Sequence, residues 1–241
     1  MSESTEAAVL GFDTATDDVA VAVTRSGEAI AESRVDGRPG EHPQHATALL
    51  AEIERAVDAV GGWERVGLIS TGVGPGSFTG LRVGVATARA LAQARRLPVA
   101  PVVTLAALAA GFADRAGTRR RLAVIDARRK QAFAALYGPG GETLWAPLVC
   151  APDELTERLA GQDPPPLAAG DGSVRFRDEL EAAGVEVLPD TDPAHRISAR
   201  QVCLLGSEAT VVRPEALEPM YLRRPDAELW RERDTGRQSR T

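Results

Sequence analysis

The sequence is poor in cysteine, aromatic residues and lysine. Its two cysteines, Cys150 and Cys203, cannot build the disulfide framework of a small secreted protein. Aromatic residues make up only 4% of the 241 residues, so the core must consist mainly of Ala, Val, Leu and Ile. The basic charge is almost all arginine, since Lys130 is the only lysine. The composition therefore indicates a globular protein with an aliphatic core, from a reducing compartment.

The sequence also lacks a long apolar run and a strongly basic balance of charge. No apolar stretch reaches the roughly 18 residues needed to cross a bilayer, and the acidic N-terminus lacks the basic start of a signal peptide. We therefore expect a cytoplasmic protein without membrane contact. The net charge is −6, whereas a chain that grips RNA alone usually has a basic surface. Two short basic clusters, Arg119–Arg121 and Arg128–Lys130, are interpreted as solvated strand ends.

The order of predicted elements repeats once along the chain. Each half reads strand, strand, strand, helix, strand, helix, and the first strands end in Phe12–Ala15 and Ile125–Ala127. Antiparallel strands extended by parallel ones, with crossover helices, favour a mixed sheet covered by helices. Two such units predict a duplicated, actin-like (RNase H-like) α/β fold with two lobes, as in sugar kinases and Hsp70. The predicted units are a lobe at 1–103, a lobe at 104–197, a closing helix and strand at 198–224 that pack on the first lobe, and a loose tail at 225–241.

Hydrophobic periodicity predicts several helices of more than ten residues. The stripe of Ala46, Leu49, Ile53 and Val57 is one example. The predicted helices are Pro43–Val60, Phe78–Arg95, Thr104–Ala116, Ser173–Ala183 and Ser198–Ala209.

A glycine-rich turn, Gly72–Gly80, lies between a predicted strand and a predicted helix. Such a place can bind phosphate, because free backbone N–H groups and the helix dipole favour an anion. The spacing argues against this, since no lysine follows Gly80 and Thr79 replaces the third glycine of a dinucleotide fingerprint. Ser77 lacks the flanking glycines of a nucleophile elbow. We therefore interpret Ser77 as the N-cap of the helix that starts at Phe78.

The helix predicted after this turn carries small residues on one face. Gly80, Gly84 and Ala88 recur every four residues. Glycine inside a helix costs roughly 1 kcal/mol relative to alanine, so two on one stripe indicate that another backbone approaches closely. That backbone could belong to the sheet of the same lobe or to a helix of another subunit, and the residues alone leave both open.

Several motifs, in order along the chain, resemble those of one family. The longest is Gly74–Gly84, and the others are Phe12–Thr16, Glu41–His42, Ile125–Arg128 and Glu218–Arg223. Together they resemble the signatures of the TsaB (YeaZ) family of tRNA threonylcarbamoyl-adenosine biosynthesis proteins. The resemblance extends over most of the chain and implies a two-lobed actin-like fold.

The resemblance also implies a scaffold role in threonylcarbamoylation of the adenosine beside the tRNA anticodon. A chain of this kind pairs with a catalytic TsaD-like paralogue, a TsaE-like ATPase joins them, and tRNA is reached indirectly through the complex. In isolation we expect a weak homodimer. The helix after the glycine-rich turn resembles part of the dimerisation surface, so the predicted interface residues are Gly80, Arg82, Gly84, Thr87, Ala88 and Leu91.

The catalytic paralogues carry a His-x-x-x-His metal pair after the strand that corresponds to Pro98–Val102. Here the same place, Val102–Ala107, holds no imidazole, and Val, Thr and Ala cannot bind the metal. This favours a chain that is not the catalyst and needs no metal or cofactor. The alternative is a metal-dependent peptidase or a small-molecule kinase of the same fold. His42 and His45 could share an ion, but no third ligand is close in sequence.

Three residues stand where related kinases place groups near a nucleotide and its metal. Asp13 and Asp126 each end a predicted strand, and Thr14 follows the first of them. No glycine follows Asp13 to let the backbone wrap a phosphate. Asp126 can instead end its strand and cap a turn. We treat Asp13, Thr14 and Asp126 as a candidate vestige of a nucleotide site.

Overall fold

The computed structural model describes residues 6–37 and 45–223. Within these ranges the chain forms two five-stranded mixed sheets, each covered by helices. The Glu41–His42 motif and the predicted tail at 225–241 lie outside the described residues.

The first sheet has the strand order β3-β2-β1-β4-β5. β1 pairs with β2 antiparallel and with β4 parallel, so a three-stranded meander is extended by two parallel strands. The antiparallel part uses short turns, whereas each parallel strand follows a helix. The elements are β1 (Ala8–Asp13), β2 (Val19–Arg25), β3 (Glu28–Val35), α1 (His45–Val60), β4 (Val66–Gly74), α2 (Phe78–Arg95) and β5 (Val99–Val103).

The second sheet repeats this arrangement, with the order β10-β9-β6-β7-β8. Its core lies on both faces: α3 covers one, and α5 with α7 covers the other. The elements are α3 (Thr104–Ala110), α4 (Ala113–Ala116), β6 (Arg121–Asp126), β7 (Ala132–Tyr137), β8 (Thr143–Cys150), α5 (Pro152–Leu159), β9 (Leu167–Ala169), α6 (Asp171–Arg175), α7 (Arg177–Ala182), β10 (Glu186–Val187) and α8 (Ala199–Glu208).

Two of the predicted long helices are wrong, because each is interrupted by a buried phenylalanine. Thr104–Ala116 divides into α3 and α4 around Phe112, and Ser173–Ala183 gives way to α6 and α7, which meet at Phe176. Phe112 has φ −123° and ψ 22°, and Phe176 has φ −109° and ψ 32°. Both rings are buried in the second lobe, so each break in helical geometry lies at a core position.

The chain returns to the first lobe through α8. This helix lies against β1, β2, β4 and β5, on the face opposite α1 and α2. The approach is close, since a Cβ added to Gly206 would lie 2.2 Å from the Cβ of Ser70. Beyond α8 the predicted closing strand is reduced, within the described residues, to one antiparallel bridge between Val212 and Val99. The limits of the predicted domains stay a prediction.

The start of α2 is fixed by a side-chain cap and by contact with the β1–β2 turn. Ser77 Oγ accepts the backbone N–H of Gly80 at 3.3 Å, which confirms the predicted N-cap. A Cβ added to Gly80 would lie 1.9 Å from Thr14 O, and one added to Gly84 would lie 2.4 Å from Thr14 Oγ1. The backbone that approaches these glycines therefore belongs to the same lobe.

This packing corrects half of the predicted interface. Gly80, Gly84 and Ala88 are buried inside the chain, so they cannot form a contact surface for another subunit, and the prediction is wrong for these three. Arg82 is exposed, and Thr87 and Leu91 are half-buried, with Leu91 packed against the core of the first lobe. For those residues the interface stays a prediction.

We predict that Gly80→Ala destabilises the fold, although alanine is the better helix former. The added methyl group would press on the carbonyl oxygen of Thr14, a backbone atom that cannot rotate away. Overpacking of this kind costs about 1–3 kcal/mol in the free energy of unfolding, which urea titration would measure. Thr79→Ala, at the exposed neighbouring position, is the control and should change little. Equal stability of Gly80→Ala and wild type would contradict the packing described.

Candidate functional site: the interlobe cavity and the outer face of α2

A cavity of about 460 Å³ lies between the two lobes. Its walls come from the β1–β2 turn, the loop before α2, the end of β6 with the turn that follows, Asp171 and the closing segment. The lining residues are Ala15, Thr16, Asp17, Gly76, Ser77, Phe78, Thr79, Ile125, Asp126, Ala127, Arg128, Phe133, Asp171, Met220, Tyr221, Leu222 and Arg223.

Asp13 does not line this cavity but is buried beneath it. Its Oδ1 accepts the N–H of Ala15 at 2.7 Å, and its Oδ2 accepts the hydroxyl of Thr104 at 2.7 Å. Thr104 Oγ1 in turn accepts the N–H of Gly74 at 3.1 Å. Burial raises the pKa of Asp13 from 3.8 to about 6, against the opposing effect of these two hydrogen bonds.

The three candidate nucleotide residues are therefore not brought together at one surface. Thr14 is buried as well, and its hydroxyl donates to the carbonyl of Gly80 at 2.8 Å. Only Asp126 reaches the cavity wall. Asp13 and Thr14 have structural partners within the protein, and a nucleotide role for the three residues stays a prediction.

Asp126 ends β6 and caps the turn that follows, as the sequence allowed. One carboxylate oxygen accepts the N–H of Arg128 at 2.8 Å, and the other pairs with Arg175 Nη1 at 2.7 Å. The N–H of Asp126 donates to Asp171 Oδ1 at 3.0 Å. Burial, and to a lesser degree the nearby carboxylate of Asp126, raise the pKa of Asp171. Arg128 also reaches across the cavity to pair with Asp17 of the first lobe.

The outer face of α2 carries small residues at neighbouring exposed positions. Ala86 and Ala90 are exposed there, and Val83 is half-buried beside them. On α1, Leu50 is 51% exposed. Arg82 and Gln93 are also exposed on α2, so this surface mixes small, polar and charged side chains.

Comparison with known proteins identifies the family. The chain is 30% identical to the tRNA threonylcarbamoyladenosine biosynthesis protein TsaB of Escherichia coli, over 222 residues that span 89% of this chain and 94% of the relative. The chain belongs to the TsaB family. The family model described as TsaD, tRNA N6-adenosine threonylcarbamoyltransferase, matches residues 41–212.

Other similar proteins agree in extent or in fold. An uncharacterised protein of Mycobacterium tuberculosis is 33% identical over 94% of this chain and 97% of its own length. The structure of YeaZ from Pseudomonas aeruginosa superimposes with a TM-score of 0.73 at 28% identity, covering 90% of this chain and all of YeaZ. The ethanolamine utilisation protein EutJ of Carboxydothermus hydrogenoformans shares only the fold, with a TM-score of 0.51 at 15% identity. The two-lobed, actin-like α/β fold is thereby confirmed.

The two described histidines of this TsaB-family chain have internal partners. The Nε2 atom of His45 lies 2.8 Å from the carbonyl of Thr16. His195 is buried, with Nε2 close to the carbonyls of Leu188 and Pro189 and Nδ1 accepting the N–H of Gly170. In the described ranges no group of three or more His, Cys, Asp or Glu residues could hold a metal ion. His42, which was considered with His45 as a possible ion-binding pair, lies outside those ranges.

The basic cluster Arg119–Arg121 was predicted to be a solvated strand end, but one of its three residues is buried. Arg119 pairs with Glu186, but Arg121 is buried and donates to the carbonyls of Ala109 and Gly138. The prediction is therefore wrong for Arg121, which ties the end of α3 to the β7–β8 turn. The helices in the described part of the chain are too short or too polar to span a membrane.

An aromatic and cationic cluster at the cavity mouth has no clear signal in the sequence. The rings of Phe78 and Tyr221 lie 5.0 Å apart, and the Arg82 guanidinium stands 3.9 Å over the ring of Phe78. Arg82 Nε donates to the hydroxyl of Tyr221 at 3.2 Å. Tyr221 is 139 positions from Arg82 in sequence, so only the fold reveals that they meet.

We predict a pH dependence of stability that belongs to Asp13. Its pKa is about 6 when folded against an ordinary value of 3.8, so the folded state binds the proton more tightly than the unfolded state. The stabilisation is fully present below about pH 4 and is lost as pH rises to about 6. Relative to Asp13→Asn, the free energy of unfolding of the wild type should fall by about 3 kcal/mol across this window. Parallel pH profiles of the two proteins, measured by denaturant titration, would contradict the assignment.

Proposed function

We propose that this chain is a non-catalytic subunit required for threonylcarbamoylation of the adenosine next to the anticodon of tRNA. Relatives that align over most of its length are named tRNA threonylcarbamoyladenosine biosynthesis proteins. The transferase family model that matches residues 41–212 supports a common origin with the catalytic paralogue. Such a role places the protein in the cytoplasm.

The start of α3 supports a role outside catalysis. The catalytic paralogue is expected to carry a metal-binding His pair there, whereas this chain has Val103, Thr104 and Ala107. The Thr104 hydroxyl is fully buried and engaged with Asp13 and Gly74. A side chain that is committed to joining three backbone segments is unavailable to a substrate or an ion.

The outer face of α2 is the observation that carries the proposal. Exposed Ala86 and Ala90 let another helix approach closely, while Val83 and the exposed Leu50 of α1 supply apolar area. We place the contact with the TsaD-like paralogue on this face, together with Arg82, Thr87 and Leu91. A TsaE-like ATPase joins the pair, and tRNA is bound through the complex. A weak homodimer would use the same face in the absence of the paralogue.

We predict that Ala86→Arg prevents pairing with the paralogue without unfolding the chain. A long charged side chain at an exposed position costs little in the isolated protein, but at an interface it blocks close approach and must lose its hydration. Size-exclusion co-elution and isothermal titration with the TsaD-like protein should show at least a tenfold loss of affinity.

Ala182→Arg is the matched control, because Ala182 is an exposed alanine on α7 of the other lobe. It should leave pairing intact, and both variants should melt like the wild type. In cells that lack the native gene, Ala86→Arg should fail to restore threonylcarbamoyl-adenosine in tRNA, as judged by mass spectrometry of nucleosides. Normal pairing by Ala86→Arg would refute the placement of the interface.

A further inference from the structure

The interlobe cavity has rings inside it and cations at its rim. Phe78, Phe133 and Tyr221 line it, and Arg128 stands at its edge. Its volume of about 460 Å³ lies within the range of about 300–1,000 Å³ typical of sites for small organic groups. We propose that the cavity receives one unpaired base of an RNA and that the rim turn, Arg128–Lys130, contacts the adjoining phosphates. The inference rests on the proposed function, which supplies the RNA.

The rim turn is held in a costly backbone conformation. Arg128, Arg129 and Lys130 have φ of 62°, 54° and 59°, in the left-handed region that costs a non-glycine residue about 1 kcal/mol or more. The capping carboxylate of Asp126 and the bond from Arg223 Nη1 to the carbonyl of Ala127 hold the turn in place. Three consecutive basic side chains are thereby exposed beside the cavity, where Arg128 is ion-paired with Asp17 and Asp126.

The cavity mouth offers surfaces on which an unpaired base can stack. The ring of Tyr221 is partly exposed and lies 5.0 Å from the ring of Phe78. The guanidinium of Arg82 covers Phe78 and fixes Tyr221 through its hydroxyl. Aromatic rings and arginine planes are the groups that proteins use to bind splayed bases in single-stranded RNA.

The geometry favours an RNA strand over a free nucleotide that carries its phosphates deep in the cleft. At the inner end, Ser77 N–H donates to the carbonyl of Ala15 at 2.6 Å, and a Cβ on Gly76 would lie 2.2 Å from that oxygen. The N–H of Ser77 is therefore not available to bind a phosphate. The carboxylates of Asp126 and Asp171 on the wall would also repel one. With phosphates outside and a base inside, the backbone of a longer strand can continue along the surface.

An acidic protein segment fits the same observations less well. It would pair with the exposed cations of the rim turn, but it would leave the aromatic cavity beside them unused. The combination of rings, a guanidinium plane and cations at one mouth is that of a single-strand RNA site.

The test is RNA binding by the full chain, alone and in complex with the TsaD-like paralogue, followed by fluorescence anisotropy. The probes are an unmodified tRNA transcript, a hairpin with an unpaired loop, and a fully paired duplex of equal length. We expect tRNA and hairpin to bind more tightly than duplex. Lys130→Ala should weaken binding several-fold and reduce the slope of log affinity against log salt by about 0.7–0.9, as expected for one lost phosphate contact.

A pair of variants at Tyr221 separates stacking from a structural effect. Tyr221→Ala should weaken hairpin binding about tenfold or more, because a stacked base loses its platform. Tyr221→Phe keeps the ring and should bind within about twofold of wild type. Arg158→Ala, which removes an exposed cation from α5 on the second lobe, is the control and should change neither affinity nor salt slope.

The sole lysine gives an independent readout. Amine-reactive labelling followed by peptide mass mapping should show that the hairpin protects Lys130, relative to the N-terminal amine. The proposal is overturned if neither the chain nor its complex binds RNA, if duplex and hairpin bind equally, or if polyglutamate protects Lys130 as well as RNA does.

Retained co-elution of Lys130→Ala and Tyr221→Ala with the paralogue would show that loss of RNA binding is separate from pairing. If the wild-type chain does not pair with the TsaD-like paralogue, the proposed function is refuted. The RNA-binding assay on the isolated chain still tests the present inference in that case.

Discussion

The buried contact between Thr104 and Asp13 is the constraint on which the rest of the structure depends. Asp13 ends the central strand of the first sheet, and Thr104 begins the first helix of the second lobe. Their hydrogen bond, together with the bond from Gly74, joins three chain segments that are far apart in sequence. An unpaired polar group in this position would be costly, so satisfying one carboxylate ties the start of the second lobe to the first sheet.

The same contact decides what the cavity can hold. Because Asp13 and Thr14 have partners within the protein, the acidic groups left on the cavity wall are Asp17, Asp126 and Asp171. A related kinase would need open backbone and free carboxylates at this place to hold a nucleotide and its metal. Here the backbone segments at the inner end pack against each other. The side chains that a ligand can contact therefore lie at the rim of the cavity.

How much the sequence predicts depends on whether a feature is local. The helix α2, its Ser77 cap and the strands β1 and β6 follow from patterns within about 20 residues, and they are found as predicted. The breaks at Phe112 and Phe176 could not be predicted from periodicity, since a core phenylalanine fits the apolar stripe of an unbroken helix. The burial of Gly80 against Thr14 and the meeting of Arg82 with Tyr221 depend on contacts across 66 and 139 residues. Only the assembled fold shows which surface a small or charged side chain faces.

The closing helix α8 has a consequence for how the protein is made. It comes from the last part of the described chain, yet it covers a face of the first sheet on which Gly11, Ala20 and Ala22 leave room for its backbone. During synthesis the first lobe leaves the ribosome with that face open to water, and about 100 further residues must be added before the covering helix exists. The packing on that face of the first sheet is therefore completed only by α8, in spite of the duplicated architecture.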